Sequence, residues 1–170
     1  MIAGAYDLSF YRRASDAIND EQHRYLVLRD ATIVPPGHAQ KSQRLPQLLC
    51  DRSEAVLVAT IAEAAPPPDY PREEQRRGVA PVTVMFFTTA FVVRGTCYLR
   101  PNLPLTEALE RVTEDFLPLR GVQIFPIAGG ASIMRDFAAL SRARIVALYQ
   151  VAEAALHDAP AAPAAVAQNG

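Results

Sequence analysis

Apolar residues in this chain gather in short runs of strand length, and most of these runs end at proline or glycine. Residues 24–34, RYLVLRDATIV, are rich in β-branched and aromatic side chains and stop at a Pro-Pro-Gly turn signal, which predicts a strand. Residues 54–62, EAVLVATIA, predict a second strand. The run 82–99, VTVMFFTTAFVVRGTCYL, is too long for one ordinary strand and predicts two, separated at the Thr-Thr-Ala triplet or by a bulge at Gly95. Residues 122–127, VQIFPI, predict another strand, which ends before two glycines.

Helical spacing is clearest over residues 104–117, PLTEALERVTEDFL. Pro104 suits a first helical turn, and apolar residues recur after it at every third or fourth position. The last long segment, residues 137–158, allows two structures. Its alanine and leucine content favours a helix, whereas IVALYQV at residues 145–151 also fits a strand.

Two stretches of the chain end in nearly the same way. Residues 51–64, DRSEAVLVATIAEA, align with residues 141–154, SRARIVALYQVAEA. A second pair, residues 27–37 over residues 92–102, places an apolar run before a proline turn in both halves. The matches occur in the same order, which predicts an internal duplication of a small β unit. Under this hypothesis residues 145–151 form a strand like residues 54–62; without it, they belong to a long C-terminal helix.

The predicted fold is therefore mainly β, with two small related β units and one short helix in the second. The alternative is an α+β fold with a long C-terminal helix. Proline and charge are dense around residues 65–80, which predicts a semi-rigid linker between a first unit, residues 1–64, and a second unit, residues 81–157, with its helix at 104–117. Residues 158–170 are rich in alanine and proline, and we expect a disordered tail.

Composition excludes few functions. The net charge is −1, which lacks the cationic excess of proteins that bind phosphate backbones. Cys50 and Cys97 form no metal-ligand pattern with the three histidines, so no metal or other cofactor is predicted. No apolar run reaches the roughly 20 residues that span a bilayer, and the N-terminus is unlike a secretory signal. We therefore expect a cytoplasmic protein with no membrane partner.

Residues 82–152 resemble a bacterial family of uncharacterised small β domains. The features shared are Val93, Gly95 and Pro101 on an apolar strand that enters a proline turn, and a basic residue, Arg142, before Ile145-Val146. The order of elements is also similar to that of Sm-like small barrels, in which a strand glycine permits sharp bending and a late hairpin closes the sheet. The resemblance implies a fold more than a function. The sequence departs from the Sm pattern because it lacks the glycine after Arg142 and the Asp and Asn of that pattern.

Candidate chemistry is sparse. Cys97 lies within an apolar run with no adjacent base, and the neighbouring acidic pair Glu114-Asp115 is expected on a solvated face. Gly129-Gly130 follows a strand but lacks the third glycine and the lysine of a phosphate loop, so it predicts a hairpin turn. No catalytic residue is predicted.

A set of basic and aromatic residues could line one sheet edge and bind a single strand of nucleic acid by charge and stacking. Its members are Arg94, Tyr98, Arg100, Arg142, Arg144 and Tyr149. A solvated edge that discourages aggregation is the simpler interpretation. The leading functional hypothesis is a non-catalytic module for protein interaction or self-assembly, an adaptor or scaffold whose partner is another protein or a second copy. The alternative is an Sm-like regulator that binds single-stranded nucleic acid.

Overall fold

A computed structural model describes residues 1–8, 13–35, 41–62 and 78–152. Two sheets and two short α-helices make up these residues. The elements are β1 (Ile2–Tyr6), α1 (Ala14–Ile18), β2 (Tyr25–Ile33), β3 (Gln43–Asp51), β4 (Leu57–Ala59), β5 (Ala80–Phe87), β6 (Phe91–Leu99), α2 (Leu105–Glu110), β7 (Phe116–Pro126), β8 (Ile133–Ser141) and β9 (Ala147–Gln150). Short 3-10 helices, Arg52–Glu54 and Arg142–Arg144, follow β3 and β8.

The boundary between the two sheets differs from the boundary that the predicted linker, 65–80, gives. One sheet has the order β1-β2-β3, and the other has the order β4-β8-β7-β6-β5-β9. All neighbours pair antiparallel. The smaller sheet is a simple meander, and the larger one is a meander of β5 to β8 with β9 and β4 added at its two edges. Strand β4 precedes the proline-rich stretch yet pairs with β8, which joins the first part of the chain to the second.

The mainly β fold is confirmed, and a long C-terminal helix is not supported. Residues 147–150 are extended and pair with β5, where Ala147 lies opposite Phe87 and Gln150 opposite Val84. The predicted linker, 65–80, lies outside the described residues up to residue 77, and the predicted tail, 158–170, lies wholly outside them. The structure adds four elements that the sequence pattern did not predict, namely β1, α1, β3 and β8.

Helix α2 is shorter than the predicted 104–117. Leu105, Leu109 and Val112 pack against the core, as the helical spacing predicts. Phe116, however, begins β7, and its backbone N–H donates to Asn19 Oδ1 at 2.8 Å while its carbonyl accepts from Asn19 Nδ2 at 3.0 Å. A helix this short has little stability of its own in water. The hydrogen bonds of β7 to its neighbouring strands and the bridge from Asn19 therefore determine that the chain is extended from Phe116.

The main core lies under one face of the larger sheet. Alternate residues of β5 and β6 point into it, as the period of two in a pleated strand requires. Phe86, Val93, Leu119 and Leu140 are completely buried there. A smaller cluster, which contains Ile18, Leu26, Phe116, Phe137 and Ala139, joins the two parts of the chain.

The same arrangement of elements occurs in both parts, with the same strand registers. Tyr25 pairs with Asp51 and Ile33 with Gln43; correspondingly, Phe116 pairs with Ser141 and Ile124 with Ile133. In both pairs one strand carries a positive φ at the same position, 48° at Asp30 and 54° at Gly121. The left-handed region favours glycine and tolerates aspartate, which explains the residue found at each position.

The turn that follows each pair also corresponds. Asp51 and Ser141 precede the 3-10 helices with φ, ψ of −64°, 119° and −62°, 120°. Ala55 and Ile145 follow them with −71°, 123° and −77°, 120°. The alignment of residues 51–64 with 141–154 therefore joins positions of equal backbone conformation.

The second sequence alignment, residues 27–37 over 92–102, differs from the structural correspondence. The strand registers show that β2 corresponds to β7 and β1 corresponds to β6. Gly4 therefore corresponds to Gly95. Both glycines lie at a register shift, between Ala3 and Ala5 and between Arg94 and Thr96. The bulge predicted at Gly95 is present.

Gly95 is required by the close approach of Leu119. A Cβ at position 95 would lie 3.1 Å from Leu119 Cβ and 3.2 Å from Leu119 Cδ1. Leu119 is completely buried, so its side chain has little room to move away. We expect Gly95→Ala to lower the free energy of unfolding by about 1–3 kcal/mol through overpacking, measured by urea denaturation.

The control is Arg100→Ala, an exposed residue just beyond β6. Surface substitutions of this kind change stability by about 0.5 kcal/mol or less. Removing a strand glycine that has room for a Cβ is normally stabilising, because it restricts the unfolded chain. A Gly95→Ala protein as stable as the wild type would show that the contact with Leu119 does not select glycine.

Candidate interaction site

The outer edge of β8 is covered by β4. Leu57, Val58 and Ala59 lie opposite Leu140, Ala139 and Ala138, respectively. The backbone N–H of Ser141 donates to Val56 O at 3.0 Å, and that of Thr60 donates to Phe137 O at 3.2 Å. Every residue of β8 from 137 to 141 is buried as a result.

The outer edge of β3 is the corresponding edge in the first part of the chain, and no strand within the described ranges pairs with it. Leu49 is 57% exposed, whereas Ala139, its counterpart on β8, is 1% exposed. Arg52 donates its backbone N–H to Arg24 O at 2.9 Å, which sets the alternation of the antiparallel ladder. Leu48 and Cys50 therefore turn their backbone groups toward β2, while Leu49 and Asp51 turn theirs outward.

The outward face of this edge is apolar near its C-terminal end. Proteins usually protect edge strands with charge, proline or bulges. Strand β3 carries Arg44 and Pro46 in its first half, but residues 47–50 are Gln-Leu-Leu-Cys and hold no charge. The half of β3 that corresponds to the covered part of β8 thus carries a single charge, that of Asp51 at its end, which pairs with Arg24 at 2.8 Å.

Strand β9 contributes a second exposed edge. Tyr149 is 51% exposed and Val146, just before the strand, is 69% exposed. Val151 donates its backbone N–H to Thr83 O at 2.9 Å on the β5 side. The Tyr149 ring lies beside Phe87, with 6.1 Å between the ring centroids, and extends the exposed apolar area around β9.

Arg142 and Arg144, two of the predicted binding residues, act on the protein itself. Arg142 donates through Nη1 to the carbonyl oxygens of Val112 and Glu114, the latter at 3.2 Å. Arg144 donates to Ser53 O at 3.0 Å and forms an ion pair with Glu54 at 2.8 Å. Their guanidinium groups therefore hold the 3-10 turn in place.

Arg52, which corresponds to Arg142, has the same role in the first part of the chain. Its Nη1 donates to Ile18 O at 3.2 Å, and its Nη2 pairs with Asp115 at 3.2 Å. Each arginine thus binds a carbonyl at or just beyond the end of the short helix that precedes it.

The remaining predicted binding residues lie elsewhere. Arg94 and Tyr98 are on the face of β6 that points away from the core, and Arg100 follows that strand. Tyr149 lies on β9, separated from β6 by β5. The six residues do not form one cluster, because the two in the turn are bound to carbonyls and the other four are divided between two strands and a loop.

Burial and hydrogen bonding shift the pKa values of several side chains. Burial raises the pKa of the Cys97 thiol to about 11 and raises the pKa of Cys50 above its ordinary value. The hydrogen bond from Ser53, with that from Arg24, lowers the pKa of Asp51. Within the described part of the chain, no three His, Cys, Asp or Glu residues are grouped as metal ligands.

Sequence reasoning missed the edge residues Leu49 and Val146. The alignment of residues 51–64 with 141–154 contained the signal, because it matched Val56, at the covered edge, with Val146. What it could not provide was the pairing of β4 with β8, which shows that one of two equivalent edges is covered.

Comparison with known proteins returned no match to a family model, a curated protein or a solved structure. Neither described helix has the length and apolar character that a membrane crossing requires.

We expect Arg142→Ala to destabilise the fold, because the Val112 and Glu114 carbonyls lose a charged donor. Hydrogen bonds to charged groups contribute about 1.5–3 kcal/mol, so a loss of about 2 kcal/mol in the free energy of unfolding is expected by urea denaturation. The control is Arg100→Ala, an exposed arginine, which should change stability by about 0.5 kcal/mol or less. Equal stability of the two variants would contradict a structural role for Arg142.

Proposed function

We propose that the protein is a non-catalytic assembly module that binds an extended polypeptide strand along the outer edge of β3. The observation that carries this proposal is the contrast between two equivalent edges. The edge of β8 is covered by β4, whereas none of the described strands pairs with the edge of β3, where Leu49 is exposed. Strand addition uses the backbone for affinity and alternate side chains for specificity.

The energetics favour a strand as the ligand. The outward-facing backbone groups of Leu49 and Asp51 would exchange hydrogen bonds with water for hydrogen bonds with the backbone of the bound strand. Fully burying a leucine side chain contributes about 1.5–3 kcal/mol, and Leu49 offers most of its surface for this. The neighbouring residues Leu48 and Cys50 are half-buried and would be covered further.

We also propose that the two parts of the chain derive from one ancestral unit. Equal strand registers, equal turn dihedrals and the positive φ shared by Asp30 and Gly121 support this. The first unit then comprises the described residues up to 62, and the second comprises residues 78–152. A counterpart of β5 is missing from the first unit within the described residues.

The alternative of single-stranded nucleic-acid binding is less well supported. Arg142 and Arg144 would have to leave carbonyl oxygens and Glu54 to contact a phosphate. The residues left for such a surface are Arg94, Tyr98, Arg100 and Tyr149, and the net charge of the chain is −1. No observation makes this the preferred function.

The test uses a peptide with the sequence of residues 54–62, EAVLVATIA, which contains the strand that covers the equivalent edge of β8. We expect amide hydrogen exchange at Leu49 and Asp51 to slow when the peptide is added to the ¹⁵N-labelled protein. Exchange at Leu48 and Cys50 should change little, because their N–H groups already face β2. A weak complex, with Kd of about 1 mM, is sufficient for detection by NMR.

Two variants serve as controls. Leu49→Pro removes the outward N–H without removing a bond of the β2–β3 ladder, and it should abolish the slowing of exchange at Asp51. The peptide with proline in place of its central valine should not bind. If the peptide leaves exchange at Leu49 unchanged at millimolar concentration, strand addition at this edge is excluded.

A further inference from the structure

We propose that the strand bound by the β3 edge is β9 of a second copy of this chain. This inference rests on the proposed function and names its ligand. The chain contains its own template for such an interface, namely the pairing of β4 with β8. Strand β9 holds the position in the second unit that β4 holds in the first, and β3 corresponds to β8.

The template gives the register between the copies. Leu57 lies opposite Leu140 in the template, so the corresponding residues, Ala147 of one copy and Cys50 of the second, would lie opposite each other. Two further pairs follow in the same way, Leu148 with Leu49 and Tyr149 with Leu48. All six of these residues are uncharged, and each pair joins apolar side chains.

The hydrogen-bonding groups of the two edges are complementary in this register. On β9, Val151 donates toward β5, so the antiparallel alternation turns Ala147 and Tyr149 toward β5 and leaves Leu148 and Gln150 facing away. On β3, the residue that faces away is Leu49, the partner assigned to Leu148. In the template, Val58 and Ala139 occupy these positions.

The exposed side chains are those that the second copy would cover. In β4, Leu57 and Ala59 pack on the main core, whereas Val58 packs on the smaller cluster that joins the two parts of the chain. In β9, Leu148 packs on the core of its own unit, while Ala147 and Tyr149 are exposed. The exposed residues of β9, Ala147 and Tyr149, are thus the ones that correspond to Leu57 and Ala59.

The polar contacts between the two units are not repeated between copies. Glu54 and Arg144 correspond to each other when the units exchange roles, but both already pair within one chain. Two internal contacts have no equivalent. Between copies, Glu110 and Tyr25 would take the places of Asn19 and Phe116, so the side-chain bridge would be lost. Arg142 and Arg24 would take the places of Arg52 and Asp115, so two positive charges would replace an ion pair. We therefore expect association between copies to be weaker than that between units, and to depend on concentration.

The resulting contact is head-to-tail. Each chain offers one β3 edge and one β9 edge, so a pair of chains still has one of each free. Such heterologous contacts either close into a ring or continue as a filament. Oligomers larger than a dimer follow from the same interface.

The test is a disulfide between copies, made with one added cysteine. Ala147 and Cys50 would form a non-hydrogen-bonded pair, with Cα atoms about 4.5 Å apart, within the range that a disulfide spans. In Ala147→Cys, the new thiol and the native Cys50 thiol of another copy join, and oxidised glutathione accepts the two electrons and two protons. We expect a ladder of covalent dimers and larger species on non-reducing gels.

Control variants separate this pairing from random oxidation. Cys50→Ser in the Ala147→Cys background should remove the ladder. Ile127→Cys places a cysteine on an exposed residue away from both edges, and should cross-link at least tenfold more slowly. Cys97 is buried and should not take part.

The outcomes distinguish this inference from the proposed function. If Ala147→Cys cross-links no faster than Ile127→Cys, or gives only a disulfide within one chain, the second copy is not the ligand. The peptide experiment at Leu49 then still decides whether the edge binds a strand. A ladder that requires both Cys50 and the added cysteine supports the pairing of β9 with β3.

Discussion

The backbone ladder between β4 and β8 is the interaction on which the rest of the structure depends. It involves only Leu57–Ala59, yet it joins parts of the chain that are separated by a proline-rich stretch. Around it, Asn19 bridges to the backbone of Phe116, and Arg52 and Arg144 form ion pairs between the parts. Without these contacts, β8 would present an open edge like that of β3, and the smaller cluster would lose its residues from one side.

The arginine in each 3-10 turn has a structural role that its residue type does not reveal. Arginine beside a sheet edge is compatible with a phosphate contact or with a simple solvated edge, and the sequence left both interpretations for Arg142 and Arg144. In the structure, Arg142 and its counterpart Arg52 bind carbonyl oxygens near a helix end, where the backbone lacks partners within the helix. Because the turn comes directly before the pairing strand, these arginines fix the direction in which β4 and β9 leave their units.

The local pattern of apolar residues was sufficient to predict the fold class and most strands, because the signal for a strand lies in residues that are adjacent in sequence. The extended state of residues 147–150 followed from the alignment with residues 54–62 rather than from propensity, since alanine and leucine there favour a helix. The end of α2 was mispredicted because Phe116 continues the helical spacing by coincidence while its backbone belongs to β7. The exposed edge at Leu49 could not be predicted, because exposure depends on which distant strand pairs with which edge.

The position of β4 in the chain has a consequence for folding on the ribosome. Leu57 emerges long before Leu140, its partner, so the apolar residues of β4 wait unpaired while most of the second unit is synthesised. Pairing between residues so distant in sequence is slow, because a large loop must close before any contact is gained. Unpaired apolar strands are prone to aggregate during such delays, which makes this segment one that chaperones would bind in the nascent chain.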